Sequence, residues 1–230
     1  MKIYKNKILT FLKYLAILFF ASTIFMVILY RFVNPPLTSL MIIRWFEHDS
    51  KNGDFRFEKK WVKLNEISPN MLLAVVAAED NNFATHFGVD WDAVEKARQI
   101  NKYSRIKHGA STITQQTAKN VFLFPSRTWI RKGLELYFTY LIEIFWSKER
   151  IMEVYLNVIE MGRGIYGVEA ASQFFFHKPA VDLTKSECAL FTAVMPRPLK
   201  RNPSKPTGYM RGYQARVLKI MDLIGKSPIK

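Results

Sequence analysis

The sequence has little from which a covalent or metal-held framework could be built. Its 230 residues include one cysteine, Cys188, and four histidines. A single thiol excludes an internal disulfide and a cluster of metal thiolates. Its position in the apolar run CALFTAVM reads as a buried structural thiol. No internal repeat and no low-complexity tract is visible. Acidic residues are also scarce, with 19 Asp and Glu against 34 Lys and Arg, for a formal net charge of +15. The shortage is local. Between Lys96 and Leu134 stand nine basic residues and no acid, and from Arg197 to the end nine more face the single acid Asp222. Such a field attracts the phosphates of a nucleic acid, a lipid headgroup or a diphosphate substrate. A solvated basic face that only aids solubility fits scattered charge better than an acid-free run of this length.

What the chain does have is one long apolar run. Residues 8 to 30 carry Lys13 as their only charge, and 23 such residues suffice to cross a hydrocarbon core of about 30 Å as a helix. Lys2, Lys5 and Lys7 precede it with no acid, which keeps the short end cytoplasmic and exports the remainder. A cleaved signal peptide is the alternative, since Ala21, Ser22 and Thr23 are small. The run continues through Leu29, however, beyond an h-region of about 7 to 15 residues. The expected order is a cytoplasmic tail (1–7), a transmembrane anchor (8–30), a juxtamembrane region (31–60) and an exported domain (61–230). Export argues against nucleic acid and favours lipid or lipid-linked phosphate.

The exported part reads as mainly α. Ser68 is a plausible N-cap with Pro69 at the first helical position, and MLLAVVAA runs on to Glu79, apolar on nearly every side. Further helices are expected over Trp129 to Trp146, from a Ser147 cap through Asn157, and over GVEAASQFF. Another begins at a Thr184 and Glu187 capping box and ends at Pro196, and the last runs from Tyr209 to Ile224, stopped by Gly225. Gly162, Gly164 and Gly167 punctuate a turn. Strand signals are sparse.

Four motifs carry chemistry. In EDNNFATHFG, Glu79 ends an apolar helix, which places its carboxylate in a partly desolvated cleft wall, where its pKa rises and it becomes a better base. A helix-terminal acid in a structural ion pair fits the same pattern. His86 alone reads as a packing or hydrogen-bonding residue, and Gly88 as a turn. In GASTITQQTAKN, Ser111 and Thr112 stand where a helix begins, with Gln115, Gln116, Lys119 and Asn120 within three turns. A helix start offers N–H groups to an anion and Lys119 adds a charge, a set suited to polyhydroxylated or phosphorylated ligands. A polar cap explains Ser and Thr but not the paired glutamines. In RTWIRKGLE, Arg127, Arg131 and Glu135 are spaced by four and share a helical face, either as a surface ion pair or as a second carboxylate beside cations that hold phosphate. SKERIMEVYLN, with Ile151, Val154 and Tyr155 directed inward, is mostly architecture, and Glu153 reads as structural support.

These four motifs, in this order and spacing, resemble the signatures of the family 51 peptidoglycan glycosyltransferases over roughly Trp61 to Pro203. No transpeptidase-sized segment follows, as in the monofunctional members. The resemblance implies a lysozyme-like glycosyltransferase domain that polymerises lipid II into β-1,4-linked glycan strands with inversion, releasing undecaprenyl diphosphate. Glu79 stands where the family has its general base and Glu135 where it has its second essential carboxylate. Lys119, Arg127, Arg131 and Lys132 fall where the family neutralises diphosphate. Ser111, Thr112, Gln115 and Gln116 fall where it shapes the cleft. The implied partners are lipid II, the growing strand and the membrane, with cell-wall synthesis or division proteins as protein partners, and no nucleic acid. The implied location is the inner membrane with the catalytic domain in the periplasm. A divalent cation such as Mg²⁺ would assist the leaving group, although no ligand cluster in the sequence calls for one, and no organic cofactor is implied. Two departures are small: Ala110 where a second glycine is common, and Met152 where leucine is usual. A glycan hydrolase of the same build and a non-catalytic scaffold are the rival readings. Neither requires both carboxylates and the cations in this order.

Overall fold

A computed structural model describes residues 2–49, 56–104, 108–126 and 128–229. Among the described residues the chain is mainly α, with ten α-helices and three strands of two or three residues.

The first helix, α1 (Lys2–Phe32), contains an apolar span, Asn6–Phe32, of mean hydropathy 2.2, long enough to cross a membrane. Its lower part is exposed, whereas Val27 is fully buried and belongs to the main core. The upper turns are fastened to two later helices, α6 (Trp129–Phe145) and α7 (Lys148–Val158). Thr23 Oγ1 and the Tyr137 hydroxyl are hydrogen-bonded at 2.8 Å, and the Trp146 indole N–H donates to the Val27 carbonyl at 2.7 Å. Arg150 donates to the Tyr30 carbonyl through Nε at 3.1 Å and to the Val33 carbonyl through Nη2 at 3.0 Å. The last carbonyls of a helix lack intrahelical donors, and Arg150 supplies them here. The rings of Phe19 and Phe20 meet Tyr137, four or more residues below the Val27 contact, so α6 climbs beside α1 in the same sense.

A second helix, α2 (Ser39–Asp49), lies in the juxtamembrane region, where no helix was expected. Its 11 residues are too few for a helix stable on its own. Tertiary contacts hold it: Met41 is buried, Ser39 Oγ donates to the Leu123 carbonyl at 2.9 Å, and Arg44 reaches Glu160. Lys59 ties down the linker before it, donating to the carbonyls of Pro35 and Pro36.

The core is built on α3 (Pro69–Glu79), whose residues Met71 through Ala77 are all buried. It packs against α9 (Lys185–Val194) and α10 (Gly208–Ile224). Pro69 holds the first position as expected, but Ser68 does not cap, because its buried hydroxyl donates instead to the Leu183 carbonyl at 2.8 Å. Ser147 accepts from the Arg150 N–H, and Thr184 and Glu187 form the expected capping box on α9. Glu153 accepts from the Leu64 N–H and from Arg150, the supporting role its motif suggested. Cys188 is buried, which pushes its thiol up to about 12. Between the motifs lie α4 (Trp91–Tyr103), none of whose residues is buried, and α5 (Ile113–Phe122). The remaining helix, α8 (Val168–Phe176), leaves the glycine-rich turn at Gly167.

That turn belongs to a small sheet of β1 (Glu58–Lys59), β2 (Glu160–Gly162) and β3 (Ile165–Tyr166), in the order β1-β3-β2. Gly164 is required there. Its φ is +68°, and a Cβ would stand 2.1 Å from the Arg56 carbonyl oxygen, a backbone atom with no rotamer to escape by. Gly164→Ala should cost about 3 kcal/mol and lower Tm by about 10 °C. Gly212→Ala, where a Cβ meets nothing within 4 Å in α10, is the control and should be neutral or stabilising in the same melt.

Candidate functional site

Glu79 is the last residue of α3, carried by a buried helix to the edge of the core. Burial raises its carboxyl above the ordinary carboxylate range; the Gln116 hydrogen bond and the charge of Lys119 act against that rise, and neighbouring Asp80 adds to it. Gln116 Nε2 donates to Glu79 Oε2 at 2.8 Å, and the buried Tyr155 hydroxyl donates to Gln116 Oε1 at 3.3 Å. The chain Tyr155–Gln116–Glu79 therefore fixes the carboxylate through a neutral amide. A guanidinium in that place would hold it as firmly but strip it of proton affinity. The pairing of Gln116 with Glu79 gives one of the two glutamines of its motif a purpose that a helix cap does not.

Asp80 points the other way and does structural work. It is 7% exposed; its Oδ2 accepts from the Ile113 N–H at 3.0 Å, and His86 Nε2 lies 2.9 Å from both of its oxygens. His86 is thus a hydrogen-bonding residue, as its isolation suggested. Thr112 Oγ1 accepts from the Gln115 N–H, and Gln115 Oε1 accepts from the Thr112 N–H. The start of α5 was expected to offer N–H groups to an anion. Those of Thr112, Ile113 and Gln115 are already engaged, because Asp80 and the capping box reach them first, and the attraction of this segment for an anion rests mainly on Lys119.

Lys119 stands within the field of both carboxylates. Burial lowers its ammonium pKa; Glu135 and Glu79 pull it up, while Arg131 and Lys132 press it down. Glu135 is 3% exposed in α6 and accepts from Arg131 Nη1 at 2.5 Å and from Lys132 Nζ. The RKGLE motif therefore sets a buried carboxylate between two partly exposed cations, in place of a surface salt bridge. Arg131 Nε is buried with no hydrogen-bond partner among the described residues. Arg127 lies outside the described residues, as do Arg105 and Lys107 of the basic run.

Two clefts flank α5. One, of about 450 Å³, has Gln116, Lys119, Arg131, Arg44 and Glu160 in its lining. The second, of about 530 Å³, lies toward α4 and takes in Ser111, Gln115 and Lys132. Arg131 and Lys132 thus serve different clefts, and Glu135 ties them together. The structure brings Gln116, Lys119 and Arg131 to the side of Glu79, while Thr112 and Gln115 are spent mainly on the buried cap. Sequence reading missed Arg44, Glu160 and the anchoring hydroxyl of Tyr155. Glu160 had a signal, a lone acid within the apolar VIEMG; Arg44 had none. Among the described residues no group of three or more His, Cys, Asp or Glu is placed to hold a metal ion, and both oxygens of Glu135 are taken. The donor set does not fit a protein-held divalent cation.

Comparison with known proteins agrees with this arrangement. A family model described as transglycosylase matches residues 49–222. The chain is 49% identical over 223 residues to a biosynthetic peptidoglycan transglycosylase of Bacteroides thetaiotaomicron, covering 97% of this chain and 90% of that one. It is 54% identical over 202 residues to the protein of the same name from Bdellovibrio bacteriovorus, covering 88% and 81%. A third, from Mannheimia succiniciproducens, is 44% identical over 228 residues, covering 99% and 92%.

Proposed function

This chain belongs to the transglycosylase family and is a peptidoglycan glycosyltransferase, and we propose that the substrate it polymerises is lipid II. The observation that carries the reading is Glu79: a carboxylate of raised proton affinity, held by a neutral amide, beside a cleft whose lining includes the cations Lys119 and Arg131.

The residues divide the reaction between them. Glu79 takes the proton from the 4-hydroxyl of the acceptor sugar as that oxygen attacks C1 of the donor sugar. The O4–C1 bond forms, the bond from C1 to the diphosphate oxygen breaks, and attack from the face opposite the leaving group inverts the carbon. The electron pair leaves with undecaprenyl diphosphate. Lys119 and Arg131 meet the charge that develops there, while Lys132 adds positive charge from the second cleft and Arg127 extends the basic run in sequence. Glu135 keeps Arg131 and Lys132 in place. Ser111 and Gln115, on the second cleft with Thr112 in the cap behind them, shape the surface along which the rest of the chain of sugars lies. A divalent cation, if one takes part, is brought with the diphosphate, since the described residues supply no cage for it.

The anchor puts this site where its substrate is. A single span with lysines at its short end implies an inner-membrane protein with the catalytic domain in the periplasm, which a periplasmic reporter fusion would check. Cell-wall synthesis or division proteins are the natural partners of such a polymerase.

The test is incubation of the purified protein with labelled lipid II in detergent. High-molecular-weight glycan is the expected product. No polymer where a known polymerase works would overturn the reading, and release of muropeptides from purified cell wall would replace it with a hydrolase. Lys119→Ala should lower kcat/KM by about 10- to 100-fold, the worth of one charged hydrogen bond to phosphate, and flatten the dependence of rate on salt. Wild-type rates in that variant would reduce the basic run to a surface patch.

A further inference from the structure

The cleft beside Glu79 holds one carboxylate, Glu160, as well as the cations Lys119 and Arg131, and the arginine that grips this carboxylate comes from a helix outside the family match. α2 ends where the transglycosylase match begins, at residue 49, yet it supplies Leu40 and Arg44 to the cleft. Arg44 Nε donates to Glu160 Oε1 at 3.0 Å and its Nη2 to Glu160 Oε2 at 3.4 Å, while its Nη1 donates to Glu47 Oε2 at 2.6 Å. Glu160 is 7% exposed on β2 and is reached from α2 across 116 positions of sequence. Glu47 is largely exposed and does not line the cleft, so the Arg44–Glu160 pair carries no net charge there. The other cations of the lining are Lys119 and Arg131.

A ligand that is anionic at one end is oriented by a carboxylate and cations in one cleft. Phosphate oxygens are drawn to Lys119 and Arg131 and repelled by Glu160. Hydroxyl and amide N–H groups have the reverse preference, because a carboxylate only accepts. Each oxygen of Glu160 takes one bond from Arg44 and has acceptor capacity left. Burial raises the Glu160 carboxyl pKa, and Arg44 opposes the rise while it orients the carboxylate.

We propose that Glu160, positioned by Arg44 of the juxtamembrane helix, orients the substrate by accepting hydrogen bonds from hydroxyl or amide donors of its sugar headgroup and by confining the diphosphate to Lys119 and Arg131. This rests on the polymerase reading above. Arg44 is a positioning residue that acts through Glu160, and α2 is part of the cleft in addition to linking the anchor to the domain.

The experiment is steady-state polymerisation of labelled lipid II by the full-length protein, with inorganic pyrophosphate as inhibitor. Glu160→Gln should raise KM about tenfold with kcat within about threefold, the loss of one charged hydrogen bond made equally in ground and transition states. The same variant should be inhibited about threefold more strongly by pyrophosphate, because a negative charge has left the cleft. A variant damaged only in its fold would lose affinity for both. Arg44→Lys, which keeps the charge but loses the two-pronged grip, should raise KM severalfold, and it is the second readout if Glu160→Gln melts early. Unchanged KM and unchanged pyrophosphate inhibition in these variants, with wild type polymerising, would overturn the assignment alone. No polymer from wild type would overturn the polymerase reading and this assignment with it.

Discussion

Glu79→Gln should lower the rate of glycan polymerisation by about 10³-fold while lipid II still binds within a few-fold of wild type. The magnitude is that of general base catalysis, typically 10²- to 10⁴-fold. The amide is isosteric, and its oxygen can still accept from Gln116, so the cleft should keep its shape. Two pH measurements separate the base from a structural acid. The acidic limb of the wild-type kcat/KM profile should lie above the ordinary carboxylate range, since burial raises the Glu79 carboxyl, and rate should fall as pH drops through that limb and the base takes up its proton. Stability has the opposite sense. A carboxyl whose folded pKa is raised favours folding fully below its unfolded value, near 4.5, and loses that contribution as pH rises through the folded one. Glu79→Gln should therefore melt higher than wild type at pH 7, with the difference vanishing near pH 4. Full turnover in the variant, or a variant that melts lower at pH 7, would show the carboxylate to be an ordinary ion-pair partner.

Glu135→Gln is expected to cost both stability and activity. Removing one member of a buried charge group leaves the others uncompensated, at about 3 to 5 kcal/mol. Here the members left are Arg131 and Lys132, with Lys119 losing the carboxylate that most raises its pKa. Partial exposure of Lys132 places the expected cost near the lower end, about 3 kcal/mol, or roughly 6 to 12 °C in Tm. Activity should fall by about 100-fold, because both cations lose the group that aims them at their clefts. Inorganic phosphate separates the two effects. It should raise the Tm of the variant more than that of wild type, since it binds cations freed from Glu135. Equal shifts would mean that the cations do not bind phosphate, and that Glu135 serves the fold alone.

How much of this could be read from the sequence depends on the range of the contact involved. α3, α6, α7, α9 and α10 were legible because their caps, apolar faces and stop residues lie within a few positions of each other. The environment of Glu79 was legible for the same reason, since an unbroken apolar run ends on it. Ser68 and the start of α5 were misread where a distant group took over a local role: the carbonyl of Leu183 claims the serine hydroxyl, and Asp80, 33 positions earlier, claims the Ile113 N–H. α2 escaped notice because it is held by tertiary contacts. Arg44 and Glu160 meet only when the chain has folded, and no spacing rule connects them.

The fastening of α1 has a mechanical consequence. Its upper turns share hydrogen bonds with Tyr137, Trp146 and Arg150, and Val27 lies in the core, so the joint between span and domain has no hinge. A membrane helix meets a thinner or thicker bilayer by tilting. With the top of α1 fastened in this way, a tilt of the span in a membrane would be passed to α6, which carries Glu135, and would change the angle of the cleft to the lipid surface.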